Sequence, residues 1–280
     1  MTLEKVALRD VSTTSLMTLY SRAIESRTTD PLLRDPAAER AVDTLDYDFS
    51  RLDIKQFAMV GCAARARQFD EWTTYFLHKC PHAMVLHLAC GLDGRIERVN
   101  PPPSCSWFDI DYPEVIDLRQ HLFPPRGNYT TISGSVTEPH WLDNLPVDRP
   151  VLIVAEGLTM HLRQDDVRTL ISAVLDRFQE GELIFDVLNW SAVHAINRRH
   201  LMNTAGITVT WGIDNVREIA SWDPRLALVQ AVPTYRVPGI QHKLSLTMRI
   251  LAKIPAVRNG SRLLRFSFGA HQPNKLVRRP

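Results

Sequence analysis

One stretch limits the folds open to this chain more than any other: Ala83 to Gly94, AMVLHLACGLDG, followed about twenty residues later by the acids Asp109 and Asp111. Ala83 to Ala89 is short, mostly apolar and ends on Cys90-Gly91, the signature of a strand buried on both faces. Gly91 lets the backbone turn tightly and approach a ligand closely. A second apolar run, Cys105 to Ile110, also closes on carboxylates. In doubly wound sheets this places a glycine beneath a nucleoside and an acid on its ribose.

The turn reads Cys-Gly-Leu-Asp-Gly-Arg, so only Gly91 and Gly94 stand where a dinucleotide site has the three glycines of G-x-G-x-x-G. That makes a poor pyrophosphate cradle and disfavours a nicotinamide-dependent dehydrogenase. A ligand with a ribose and no phosphates, such as S-adenosylmethionine, needs one close-approach glycine and one acid, and both are present.

Among the 280 residues, 45% are hydrophobic and 23% charged, near the averages for a globular domain with a substantial core. The 33 basic and 31 acidic residues nearly cancel, so no strong field steers the chain toward nucleic acid. Cys62, Cys80, Cys90 and Cys105 show no C-x-x-C spacing and no paired histidine motif, which predicts reduced thiols and no metal site. Residues 1 to 20 lack the pattern of a signal peptide and no run of eighteen apolar residues occurs, so a cytoplasmic protein without a membrane span is expected. The basic end, Lys275 to Arg279, reads as a solvated tail.

In chain order, the spacing of apolar residues predicts helices over Thr14 to Arg27 and, with Asp35 as N-cap and Pro36 at N1, to about Leu45. A third runs from Gln56 to Cys80 and stops before Pro81. These eighty residues are read as a helical lid preceding a core over 81–280. After the glycine turn come a helix from Tyr112-Pro113 to Phe123, a strand Tyr129 to Ser133, a turn Ser135 to Glu138 with a short helix about Trp141, and the apolar strand Val151 to Ala155. A helix Asp165 to Phe178, a strand Leu183 to Leu188, helices Ser191 to Met202 and Asn215 to Trp222, and strands Leu226 to Val232 and Leu263 to Phe268 complete it. The alternation implies an α/β, doubly wound, mostly parallel Rossmann-like sheet.

Five segments, in this order, carry a resemblance to a known family: Thr29 to Glu39 (TDPLLRDPAAE), Arg65 to Asp70 (RARQFD), Leu88 to Asp93 (LACGLD), Trp107 to Val115 (WFDIDYPEV) and Ala155 to Leu162 (AEGLTMHL). Together they make the chain resemble the leucine carboxyl methyltransferase superfamily, in particular its bacterial and fungal branch that methylates polyketides and other natural products. The resemblance spans nearly the whole chain. It implies a class I S-adenosylmethionine-dependent methyltransferase with a seven-stranded sheet. It also assigns roles. Arg65 matches the clamp on the methionine carboxylate, Gly91 the close-approach glycine, Asp111 the ribose acid, with Asp109 two residues earlier as an alternative, and Glu156 the acid at the amino-acid end of the cofactor. The adenine turn, usually Asp-Leu, corresponds here to Ser135-Val136, and His161 stands where the family most often has tyrosine.

Methyl transfer from a sulfonium is a direct displacement that needs orientation more than a general base. A carboxylate acceptor, with a pKa of about 4, is already ionised, whereas a phenol near 10 must lose its proton. His161 is the one candidate base. The expected acceptor is therefore a carboxylate, or an acidic phenol or enol, of a small molecule, with Tyr20, His161, Asn189 and Trp190 as candidate pocket residues. Competing readings are a catalytically silent scaffold and a methyltransferase for a protein C-terminus.

Overall fold

The computed structural model describes residues 4–5, 10–52, 54–198 and 208–269. Two helices, α1 (Asp10–Ser26) and α2 (Pro36–Thr44), pack on each other and precede the long α3 (Gln56–Lys79). Asp35 caps α2 as its position before Pro36 predicts, its carboxylate accepting from the Ala38 amide. A two-residue parallel bridge joins Glu4–Lys5 to Leu45–Asp46.

The seven-stranded sheet consists of β1 (Met84–Leu88), β2 (Ser106–Asp111), β3 (Tyr129–Ser133), β4 (Val151–Ala155), β5 (Gly181–Leu188), β6 (Ala227–Pro233) and β7 (Ser261–Phe268). Their spatial order is β3-β2-β1-β4-β5-β7-β6; the first five are parallel and β7 runs antiparallel to both β5 and β6. Every residue of β1, β4 and β5 is buried, because helices cover both faces. Period-two alternation divides these strands cleanly. Leu86, Leu88, Ile153 and Phe185 pack toward α6 (Gln164–Arg177), and Val85, Leu152, Val154 and Ile184 pack toward Phe69, Trp72 and Phe76 of α3.

The remaining helices are short: α4 (Arg95–Val99), α5 (Pro113–Leu122), α7 (Trp190–Asn197), α8 (Arg217–Ala220), α9 (Ile240–Lys243), α10 (Leu246–Leu251) and α11 (Pro255–Arg258). Four of them are absent from the sequence reading: α4 is not legible in a five-residue run, and α9 to α11 fill a stretch left unassigned. Part of the helix predicted to Met202 and the Lys275 to Arg279 tail lie outside the described residues. No helix among those described is long and apolar enough to cross a membrane.

Candidate active site

Strand order reverses between β1 and β4, and the crevice above their carboxyl ends is where open α/β sheets bind ligands. A cavity of about 600 Å³ opens there, within the ordinary range for small-molecule sites. Ala89, Cys90 and Gly91 leave β1 into it, with Ala89 at φ +47° and Gly91 at φ +52°. A left-handed alanine costs roughly 1 kcal/mol, so the surrounding bonds must impose this turn. They do: the Gly91 amide donates to Asp111 Oδ2 at 2.7 Å, and its carbonyl accepts from Arg119 Nη1 at 2.7 Å. A Cβ on Gly91 would also come within 3.0 Å of Ser15 Oγ.

Asp111 ends β2 in the cavity wall, its Oδ1 accepting from the Tyr112 amide at 2.8 Å. Burial pushes its pKa up, against the two backbone amides that favour the carboxylate. Asp109, on the same face of β2 one pleat earlier, is a different residue in kind. It is sealed inside against Arg119, Tyr129 Oη, Trp107 Nε1 and His87 Nδ1. Burial alone would raise its pKa, but Arg119 above all and His87 bring it down to about 2. The alternative that Asp109 holds a ribose is corrected: it is 1% exposed and both its oxygens are committed.

On the other side of the crevice, Arg65 projects from α3 to Glu156 Oε1 and Asp186 Oδ2, each at 2.8 Å. Burial would lower the Arg65 pKa, yet Asp186 and Glu156 hold it well above its ordinary value. Arg65 Nη2 faces the loop at Gly157, where φ is +69° and a Cβ would stand 3.3 Å from that nitrogen. Asp186 also accepts from the Gly157 amide at 2.6 Å, so one buried carboxylate fixes both the arginine and the loop after β4. Glu156 in turn is bonded to Arg95, which reaches Asp70 at 2.8 Å and Asp93 at 3.3 Å. Arg98 bridges Asp70, Asp93 and Asp35, and Arg22 of α1 joins Asp35 and the Leu92 carbonyl. Four guanidiniums thus interleave with five carboxylates, an excess of one negative charge beside the cavity. Despite burial, Arg65 and Arg95 hold Glu156 below the ordinary carboxylate range.

Arg22, Asp93, Arg95, Arg98 and Asp186 are absent from the sequence-derived set. Fully buried arginines run against residue statistics, and only the folded crevice brings their partners together. Thr14, Ser15, Thr18 and Arg22 of α1 also line the cavity, at a spacing that keeps them on one helical face.

That spacing explains the first of several corrections to the expected acceptor pocket. Tyr20 lies on another side of α1 and stacks on Phe49 at 4.7 Å, outside the cavity lining. Asn189 is the N-cap of α7, accepting from the Ala192 amide and donating to the Ala256 carbonyl. Trp190, 41% exposed, leans toward His194 and also lies outside the lining. Ser135 itself stands just outside the lining: its hydroxyl pairs with Thr137 Oγ1 at 2.8 Å, while its neighbours Gly134 and Val136 line the cavity. His161 does line it, with Nδ1 3.3 Å from the Thr208 carbonyl. A carbonyl only accepts, so Nδ1 carries the proton and Nε2 is left with a lone pair. Burial lowers the His161 pKa and favours this neutral form. A Tyr-x-x-x-Lys spacing of the dehydrogenase kind occurs at Tyr75 and Lys79, but Lys79 lies over the Tyr75 ring and neither residue lines the cavity.

The sheet order and the crevice above it define a class I S-adenosylmethionine-dependent methyltransferase. The residues fit that cofactor: the excess carboxylate suits a ligand with a net positive charge, the left-handed glycines permit close backbone approach, and Arg65 Nη2 offers donors for a carboxylate. By its match to the leucine carboxyl methyltransferase family model over residues 15–175, the chain belongs to that family. It is 39% identical, over 95% of its length and 99% of the relative's, to the tetracenomycin polyketide synthesis O-methyltransferase TcmP of Streptomyces glaucescens. It is 32% identical to the S-adenosyl-L-methionine-dependent methyltransferase dpfgK of Gibberella zeae, over 79% of this chain and 82% of that one. In fold it is similar to a Thermobifida fusca protein described as a methyltransferase, with a TM-score of 0.58, 17% identity and coverage of 89% and 94% of the two chains.

Proposed function

We propose that this methyltransferase methylates an oxygen, a carboxylate or an acidic phenol or enol, of a small-molecule natural product of the polyketide type. Bound S-adenosylmethionine supplies an electrophilic methyl group. In this reading Arg65 Nη2 holds the cofactor carboxylate, Glu156 its ammonium, Asp111 the ribose hydroxyls across Gly91, and Gly134 with Val136 flanks the adenine. Residues 1–80 act as the lid, since α1 forms one wall of the cavity.

The observation that carries the acceptor class is the cavity lining, in which Met160, Leu162, Leu188, Ile196 and Val209 supply apolar surface and His161 a neutral imidazole. That combination suits a flat, weakly acidic acceptor. The Nε2 lone pair takes the hydroxyl proton and leaves the oxygen as nucleophile, whereas a carboxylate needs no such help. The identity to the O-methyltransferase TcmP supports the same reading. It is tested by incubating the chain with radiolabelled S-adenosylmethionine and a panel of aromatic acids and polyketide phenols. Transfer to oxygen is expected, and His161→Gln should slow phenol methylation roughly 100-fold while leaving carboxylate methylation near the parent rate. Absence of transfer to every member of the panel would sink the reading. An equal loss for both acceptor types would remove the base role of His161.

A further inference from the structure

The charges are unevenly placed along the chain. From Pro224 to Pro280 there are eleven lysines and arginines and no aspartate or glutamate. Some of these cations are spent within the fold. Arg265 forms a bidentate pair with Glu182, Arg262 donates to the Ile213 and Asp214 carbonyls, Arg225 pairs with Asp176 and Asp223, and Lys243 reaches Asp30. The side chains of Arg236, Arg249, Lys253 and Arg258 make no ion pair or hydrogen bond among the described residues, and they border one groove of about 480 Å³.

The same groove carries exposed aliphatic surface. Leu246 is 67% exposed, Ile250 56%, Leu251 38% and Ile254 49%. They recur at i, i+4, i+5 and i+8 along α10 and the turn after it, and Leu246 and Ile250 line the groove. An aliphatic patch rimmed by unpartnered cations marks an interaction surface. Its chemistry selects the partner. An isologous contact between two copies would set these cations against their own symmetry mates. A flat bilayer would leave the groove unfilled, and the one aromatic residue lining it, Tyr235, is half-buried against the core rather than presented to a membrane interface or a base. An amphipathic helix satisfies both features, with its apolar stripe in the groove and carboxylates on its flanks.

We propose that this groove is a docking site for an acidic amphipathic helix of a partner protein, seated by Leu246 and Ile250 and paired with Arg236, Arg249, Lys253 and Arg258. The site adjoins the cavity. The Ala256 carbonyl of α11 is held by Asn189, and Ser261, three residues past Arg258, lines the cavity wall. The inference stands whichever acceptor the cavity takes.

The test uses the full chain and a labelled helical peptide of about 18 residues, leucine at i, i+3, i+4 and i+7 and glutamate on the flanks. A scrambled peptide of the same composition and vesicles containing phosphatidylglycerol serve as comparisons. Saturable one-to-one binding of the amphipathic peptide alone is expected, weakening as salt is raised. The double variant Arg249→Glu/Lys253→Glu should weaken it roughly tenfold or more, and Ile250→Glu comparably, with S-adenosylmethionine affinity and melting temperature unchanged. Equal binding of the scrambled peptide would reduce the patch to a charge effect and overturn the proposal. So would no peptide binding, binding indifferent to the charge reversals, binding of the vesicles in place of the peptide, or a concentration-dependent dimer abolished by Ile250→Glu.

Discussion

Two acids of one strand show how environment decides role. Asp109 and Asp111 share a strand face, yet one is locked on Arg119 and the other ends beside Gly91 with burial raising its pKa. If ionised Asp111 receives the ribose hydroxyls, protonation weakens cofactor binding. Because the pKa is raised, that loss begins at a higher pH than for an ordinary aspartate. Titration calorimetry should show S-adenosylmethionine affinity falling as pH drops into that region, and a flat, weak profile for Asp111→Asn. A parent profile as flat as the variant's would remove Asp111 from the ribose. Arg65→Ala should weaken the cofactor roughly 100-fold, since the proposed charge-assisted contact through Nη2 would be lost in a buried site. Retained affinity would count against the clamp. In the sequence Arg65 and Glu156 are ordinary surface-type residues, and the family resemblance alone singled them out.

At the scale of elements, the ion network joins α1, α3 and α4 to the end of β4. Arg95, with no exposed side chain, sits between Glu156, Asp70 and Asp93. Removing one partner of a buried set leaves uncompensated charge, so Arg95→Ala should cost about 3–5 kcal/mol in urea unfolding. Arg40→Ala, which breaks a half-exposed pair with Glu97, should cost less than about 1 kcal/mol. Equal costs would show that the network does not act as a buried unit. The long helix α3 and the short strands β1 and β4 were readable because each has an apolar period or an unbroken apolar run and a proline or glycine stop. Helix α4 was not, because five residues carry too little periodicity, and what holds it is ion pairing to distant parts of the chain.

For the whole molecule, cofactor binding and stability are linked, because the cavity walls come from both the amino-terminal helices and the sheet. A ligand at 100 times its dissociation constant adds about 2.7 kcal/mol to the folded state. Thermal scans with S-adenosylmethionine at that ratio should therefore raise the melting temperature by several degrees, and at the same concentration should leave Arg65→Ala almost unmoved. No shift in the parent chain would contradict cofactor binding at this crevice. The sequence by itself determined the strand-and-helix alternation, the glycine turn and the acid at the end of β2, because local periodicity and backbone stereochemistry are written in neighbouring residues. Tertiary structure alone decided that β7 inserts antiparallel between β5 and β6, that α1 turns Ser15 and Thr18 rather than Tyr20 toward the cavity, and that Asp186 joins Arg65 to Gly157. Those outcomes depend on pairings between residues far apart in the chain, where burial and charge compensation choose among faces that local sequence leaves equivalent.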